Sequence, residues 1–409
     1  MSSKEKLLLF ILACINFTHI VDFMIMMPLG PQLMQIFNIT PRHFGFIVSA
    51  YGMSAGISGF LAAFFVDNYD RKKVVLFAYI GFVIGTFACA FAPTHQFLIL
   101  ARVIAGIFGG LIGAQVMSIV ADTFDYQRRA TAMGFITTAF SIASVVGIPA
   151  GLFLANQSGW HTPFLVIGGL GLIVIFLIIK YVPPIDKHLK NNLEKPNPLT
   201  VITNILQNPN QLRALWLSTT IMLGHFSIIP YIAPTLVANV GFSQNNIFLI
   251  YLVGGLFTIF SAPMVGKLAD KKGKYPIFVI FAFLSLIPIY LITNMFSGAV
   301  WAVLFVAGIF FIFSNGRMIP TQAMISNVVA PQQRGSFMAI NSSLQLFAQA
   351  MAANIGGFII HKTTSGYIEN YAWVGYFAIT MIFLSIFIAR TVKPIPQPIV
   401  INENPVNVS

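Results

Sequence analysis

Twelve times along this chain an apolar run of about twenty residues or more recurs, and no other feature limits its possible folds as much. A helix needs about 20 mainly apolar residues to cross a hydrocarbon core of roughly 30 Å. Inside that core each backbone N–H and C=O must be paired within the protein, so only helices and closed barrels can span it. The runs predict spans at 6–36, 44–68, 71–92, 95–124, 129–156 and 161–182, then at 211–239, 244–269, 275–296, 299–329, 334–361 and 369–392. They are too long and continuous for strands, and the alternation of a barrel is absent. Composition agrees: 57% of the residues are hydrophobic and 8% charged, against roughly 25% charged in soluble domains. The expected fold class is an all-α membrane protein with twelve transmembrane helices in two pseudo-symmetric six-helix bundles, with the lipid bilayer as solvent.

The first run has no small-residue cleavage site and reads as a span rather than a removable leader. Cys14 and Cys89 both lie inside apolar runs, which reads as packing rather than a disulfide or metal site. A net charge of +12 in a soluble chain would point to nucleic acid. Here the placement of the charges matters more than their sum. With an even number of spans both termini share one side, and 19 of the 23 basic residues fall there, against Arg42 and Lys362 opposite and Arg102 and Arg317 within spans. The excess of Lys and Arg predicts that this side is cytoplasmic, and nucleic acid is not an expected partner.

The longest polar stretch, 183–210, divides the spans six and six. The expected organisation is a first bundle at 1–182, a cytoplasmic linker at 183–210, a second bundle at 211–393 and a cytoplasmic tail at 394–409. Within the linker, residues 199–206 have the pattern of a short amphipathic interfacial helix. The halves echo one another. Asp67 maps to Asp270 and Arg71 to Lys274 at an offset of 203, Pro31 maps to Pro234, and the stretch from Gln115 through Arg129 maps onto Pro320 through Arg334 at 205. Parallel six-helix repeats are the architecture of secondary transporters, with substrate held near the midplane between halves that rock.

Specific motifs extend this reading. Gly266-x-x-x-Asp270-x-x-Gly273-Lys274 resembles the loop signature of the major facilitator superfamily, and Asp67-Asn-Tyr-Asp-Arg-Lys72 is its first-half copy, with Ala63 and Asp70 at the glycine positions. Leu98-x-x-x-Arg102-x-x-x-Gly106 resembles the span-4 motif of proton-coupled members. Gly147-Ile-Pro149-Ala-Gly151, with Gly159-Trp-His-Thr-Pro-Phe164 after it, is similar to the span-5 motif and span-6 entrance of the twelve-helix drug:proton antiporters, a group that includes sugar and nucleoside efflux permeases. The resemblance implies proton-coupled efflux of small amphipathic molecules by alternating access, in a monomer of a bacterial-type inner membrane. A specific sugar, nucleoside or metabolite exporter or symporter of the same fold is the alternative.

Asp22 is the one acid deep inside a span. An ionised carboxylate at a helix centre costs roughly 2.5–3.5 kcal/mol by insertion scales, so a functional role is the default. Arg102 is the expected partner, because the family fold sets spans 1 and 4 side by side. Competition of proton and substrate for Asp22 would give antiport directly, and a static pair fixing two helices is the other reading. Asn16 and His19 share a face with Asp22, and His19 either relays a proton or packs. His225 stands 203 residues after Asp22 and is a cavity candidate. So is Arg317, whose half offers no intramembrane acid. Asn341, Gln345 and Gln349 form an i, i+4, i+8 stripe that lines the cavity with Gln115 and Gln322 or serves as glue between helices.

By the resemblance, Asp67, Arg71, Asp122 and Arg129, with Asp270 and Lys274 in the second half, are the expected cytoplasmic gate; the other reading, positive-inside topology alone, accounts for the Lys and Arg but not for the paired acids. Asp67 is also placed to accept from backbone N–H groups at the start of span 3. Three Gly-x-x-x-Gly pairs, at 52/56, 106/110 and 147/151, predict close helix approach, and Pro149 predicts a bend in span 5. An enzyme is not expected: the chain has no phosphate-binding glycine loop, metal-ligand spacing or nucleophile–base pair. No cofactor is implied. The expected partners are a small-molecule substrate and protons.

Overall fold

The computed structural model describes residues 2–62, 64–124, 126–186, 189, 198–295, 298–330 and 333–395; the side chains of Asp67, Ala121, Tyr126, Gln127, Arg129, Ala130, Thr137 and 198, 199 and 201 lie outside the described set. Among the described residues there are twelve long helical spans. The first half comprises Ser3–Ile25 with Gly30–Ile36, Pro41–Ala62, Arg71–Ala90, His95–Thr123, Tyr126–Ile142 with Ile148–Ser158, and Thr162–Tyr181. The second comprises Pro209–Val240, Ile247–Lys272, Lys274–Thr293, Val300–Ser326, Arg334–Ile359 and Tyr371–Thr391. Eleven are apolar enough to count as spans on composition alone. The twelfth, Arg334–Ile359, is a full-length helix whose amide and hydroxyl residues dilute its apolar content.

Local chemistry sets the ends of these helices. Ser2 and Glu5 close a reciprocal capping box on span 1, and the Thr94 side chain caps span 4 at Phe97 N. Asn208 accepts from Asn210 and Gln211 ahead of Pro209 at the first turn of span 7. Between spans 8 and 9 the chain turns at Gly273 with φ 94°, a left-handed backbone that favours glycine.

Span 1 departs from the continuous helix expected, and span 5 is irregular beside Pro149, where a bend is expected. Span 1 is broken at Met26–Leu29, because Pro28 and Pro31 bring no N–H to the helical ladder. Met27 N instead bonds back to Met24 O at 3.3 Å and Gly30 N to Met27 O at 3.1 Å. Span 5 widens into a π-helical turn at Ala143–Gly147 directly before Pro149, so the missing proline donor is absorbed as a bulge. In the linker, Pro198–Gln207 is helical and Ile205 is buried while Leu206 is exposed.

The helices form two groups of six, and the groups meet along spans 2 and 11, spans 5 and 8, and spans 1 and 7. Cross-group contacts cluster toward the end away from the termini. Arg42 lies 4.4 Å from the Phe358 ring centroid, Gly45 of span 2 packs against the Tyr231 hydroxyl and Ala353 O, where an added methyl would come within 3.0 Å of both, and Ser49 Oγ donates to Asn354 Oδ1 at 3.1 Å. On the same side Asn156 Nδ2 donates to Asn245 O at 3.5 Å. Toward the middle, Gly52 and Gly56 lie under the backbone of span 11: a methyl at either position would come within 3.1 Å of Leu346 O or 3.0 Å of Ser343 O. Gly106 and Gly110 take the same close approach against Tyr51 O and Ala55 O of span 2, and Gly147 and Gly151 against Val21 and Ile25 of span 1. Each expected glycine pair thus meets a different neighbour.

Candidate functional site

At the centre of the first half, Asp22 and Arg102 have no exposed surface. Arg102 Nη1 donates to Asp22 Oδ2 at 2.7 Å and to the Asp22 backbone oxygen at 3.2 Å. Thr86 Oγ1, from span 3, donates to the other carboxylate oxygen at 3.1 Å. The guanidinium also sits 4.4 Å from the Tyr51 ring centroid, from span 2, a geometry that stabilises a cation through the ring quadrupole. Four spans therefore converge on one charge pair. Arg102 Nε and Nη2 have no hydrogen-bond partner among the described residues, so the guanidinium retains donors.

His19 lies one turn before Asp22, its ring 6.1 Å from Tyr51 and 5.8 Å from Phe82. Its Nε2 faces Gly109, where an added methyl would stand 3.1 Å away. Its Nδ1 has no partner among the described residues. Asn16 is half buried on the same helix face, and nearby Thr18 shares a hydrogen bond of 2.7 Å with Tyr79 OH. Gln115, further along span 4, is buried with its Oε1 unpartnered among the described residues.

In the second half, His225 stacks on Phe310 with centroids 5.8 Å apart and ring planes at 14°. Arg317 is buried, and its Nη1 donates to Ser285 Oγ of span 9 at 3.3 Å. The amide stripe divides. Gln345 donates to Ser218 Oγ of span 7 at 2.8 Å, and Gln349 reaches Met222 Sδ at 3.6 Å, so both tie span 11 to span 7. Asn341 is buried, with neither amide atom partnered among the described residues, and Gln322 is half buried.

At the end bearing the termini, Arg71 Nε pairs with Asp122 Oδ2 at 3.0 Å, joining spans 3 and 4. Lys274 pairs with Asp270 at 2.7 Å across the turn between spans 8 and 9. Arg334 donates to Ser326 O at 3.0 Å and Asn327 Oδ1 at 3.4 Å. The residue that caps span 3 is Asp70, which accepts from Lys72 N at 2.8 Å and from Ile185 N at 3.0 Å. Asp67 sits in the preceding 3-10 turn, and its side chain, like that of Arg129, lies outside the described set. Asp70 directly precedes the helix, where a carboxylate reaches the first free N–H groups. An apolar cavity of about 390 Å³ lies between spans 2, 7 and 11 and the linker helix, bounded by Phe60, Ile205, Leu215 and Phe347. None of the candidate residues lines it.

The pair Asp22–Arg102 is legible in the sequence; Thr86, Tyr51 and Ser285 are not. A lone hydroxyl in an apolar span was the available signal, and such residues are too common to single out.

Residues 12–317 match the family model described as Major Facilitator Superfamily. An uncharacterized MFS-type transporter of Bacillus subtilis (strain 168), YceJ, is 24% identical over 91% of this chain and 93% of its own length. A "Probable sugar efflux transporter" of Helicobacter pylori (strain G27) is 22% identical over 81% of this chain and 83% of its own. Among solved structures, that of a D-xylose-proton symporter superposes with a TM-score of 0.77 at 16% identity, covering 96% of this chain and 99% of the other. A bacterial homologue of the human lysosomal transporter Spinster, solved inward-facing and occupied, gives a TM-score of 0.75 at 13% identity over 96% and 97%.

Proposed function

This chain belongs to the major facilitator superfamily, and on that premise we propose that it is a proton-coupled antiporter exporting small amphipathic molecules by alternating access. The observation that carries the reading is the fully buried Asp22–Arg102 pair at 2.7 Å. Protonating Asp22 removes half of that pair and frees the guanidinium, so proton binding changes what the middle of the first half can hold. Its retained donors at Nε and Nη2 suit a polar group arriving with substrate. His19 is the proposed proton path toward Tyr51 and Asp22, and Gln115, His225, Gln322, Asn341 and the rest of the amide stripe line the substrate route.

The halves are taken as 1–182 and 211–393, joined by the linker 183–210. We place both termini in the cytoplasm of a bacterial-type inner membrane, on the side holding 19 of the 23 basic residues, and read the protein as a monomer. Contacts between the halves cluster at the opposite end, which is the pattern of an inward-facing state. In that scheme Arg71–Asp122 and Asp270–Lys274, each already paired within its own half, are with Asp67 and Arg129 the charges that meet across the halves when the cytoplasmic side closes. A second reading, a specific sugar exporter, is favoured by the sugar-efflux relatives of Helicobacter pylori.

Inside-out vesicles with an acid interior and a fluorescent pH probe test both readings when cationic drugs, small amphipathic carboxylates, sugars and nucleosides are added in turn. The expected result is that one class dissipates the gradient in wild type and fails to do so in Asp22→Asn, while the variant keeps energy-independent exchange of the same compound. Equal proton flux in variant and wild type would remove Asp22 from coupling.

A further inference from the structure

The two halves bring side chains together from repeat-related spans, but with unequal charge. In the first half, spans 1, 3 and 4 supply Asp22, Thr86 and Arg102: a carboxylate, a hydroxyl and a guanidinium bonded to one another. In the second half, spans 7, 9 and 10 supply His225, Ser285 and Arg317. His225 stands 203 residues after Asp22, at its repeat position, so an imidazole replaces the carboxylate. Phe310, Ser314, Arg317 and Thr321 lie along one buried face of span 10, and His225 stacks on the first of them. Through that stack His225 meets the same face of span 10 that carries Arg317.

Among the described residues, Arg317 therefore has a hydroxyl for company and no acid. The second half contains only Asp270 and Glu369 between positions 211 and 393. Asp270 sits on the surface against Lys274, and Glu369 is exposed in the short hairpin between spans 11 and 12. Arg317 Nε and Nη2, His225 Nδ1 and Ser314 Oγ are buried with no hydrogen-bond partner among the described residues. A guanidinium buried in a membrane protein is costly and marks a ligand pathway or a pairing. Its fixed fork of donors matches the two oxygens of a carboxylate.

We propose that Arg317, with Ser285 and His225, forms an anion site that holds the carboxylate of the transported molecule. The Phe310–His225 stack supplies a flat wall for an attached ring or alkyl body. This rests on the transport reading above and adds to it a substrate class: small carboxylates whose apolar part follows the charged group into the second half. Asp22 and Arg317 then divide the work. The proton acts in the first half, and the substrate's charge is held in the second.

The test uses the purified full-length protein in detergent, in Tris–HEPES buffer free of halide and added carboxylate, with the thermal unfolding midpoint as readout. Benzoate is titrated against benzamide, its uncharged isostere, and against sodium chloride. The expected result is a saturable rise with benzoate and none with benzamide. Arg317→Met should weaken the benzoate response at least tenfold, and Ser285→Ala should weaken it less. If Arg317→Met does not fold, the benzoate–benzamide contrast and Ser285→Ala carry the test. A rise with chloride but not benzoate would assign the site to a free inorganic ion and overturn the carboxylate assignment. No response to either anion, or an undiminished benzoate response in Arg317→Met, would overturn the site itself. Because the readout involves no proton flux, a failure of coupling through Asp22 leaves it unaffected.

Discussion

At the residue scale, Asp22 and Arg102 each make the other tolerable. Both are without exposed surface, and removing one partner of a buried pair typically costs about 3–5 kcal/mol, because the other is left uncompensated. Arg102→Met alone is therefore expected to lower the unfolding midpoint of the purified protein more than Arg102→Met combined with Asp22→Asn. A double-mutant cycle should return a coupling of at least about 1 kcal/mol; additive effects would show that the two side chains do not depend on each other. Asp22 was legible in the sequence because a single acid in an apolar run has few innocent explanations. Thr86 and Tyr51 were not. Hydroxyls and rings occur throughout such spans, and only the folded bundle shows which of them face a charge.

At the element scale, small residues decide how near two helices can come. A methyl group on Gly106 would collide with Ser54 Oγ and the Tyr51 backbone, whereas one on Gly113 would meet nothing within 4 Å. Gly106→Val should then cost roughly 1–3 kcal/mol through overpacking. Gly113→Ala should be neutral or gain up to about 1 kcal/mol from helix propensity. Unfolding midpoints of the two variants give the comparison, and equal midpoints would mean that spans 2 and 4 are not held at this spacing. The Gly-x-x-x-Gly pairs could be read as contact devices from their spacing alone, but not which helix each would meet. Likewise the prolines of span 1 were visible, yet the run was read as one continuous helix. Whether a proline bends, breaks or merely punctuates a helix depends on which neighbours re-satisfy the freed carbonyls.

For the whole molecule, the question is whether the end closed here must open during transport. Ser49 of span 2 and Asn354 of span 11 share a hydrogen bond of 3.1 Å across the two halves. Cysteines at both positions, in a background with Cys14 and Cys89 replaced by serine, should be joined by a short methanethiosulfonate cross-linker. Substrate flux in vesicles should fall at least tenfold on cross-linking and return when a reductant cleaves the bridge. Full flux with the bridge intact would exclude a cycle in which spans 2 and 11 separate at this end.

What the sequence determined by itself was the solvent, the number of helices and the two-fold repeat. These are local or periodic properties: run length against bilayer thickness, and motifs recurring at 203 and 205 residues. It also singled out the charges that need an explanation, because burying a charge is expensive wherever the chain goes. The tertiary structure alone decided who answers each charge: Asp22 and Tyr51 for Arg102, and a serine for Arg317. It also decided which ends of the halves touch. Partners of that kind come from spans tens or hundreds of residues apart, brought together by helix rotation and tilt, and a difference of one helical face is enough to exchange a counter-ion for lipid.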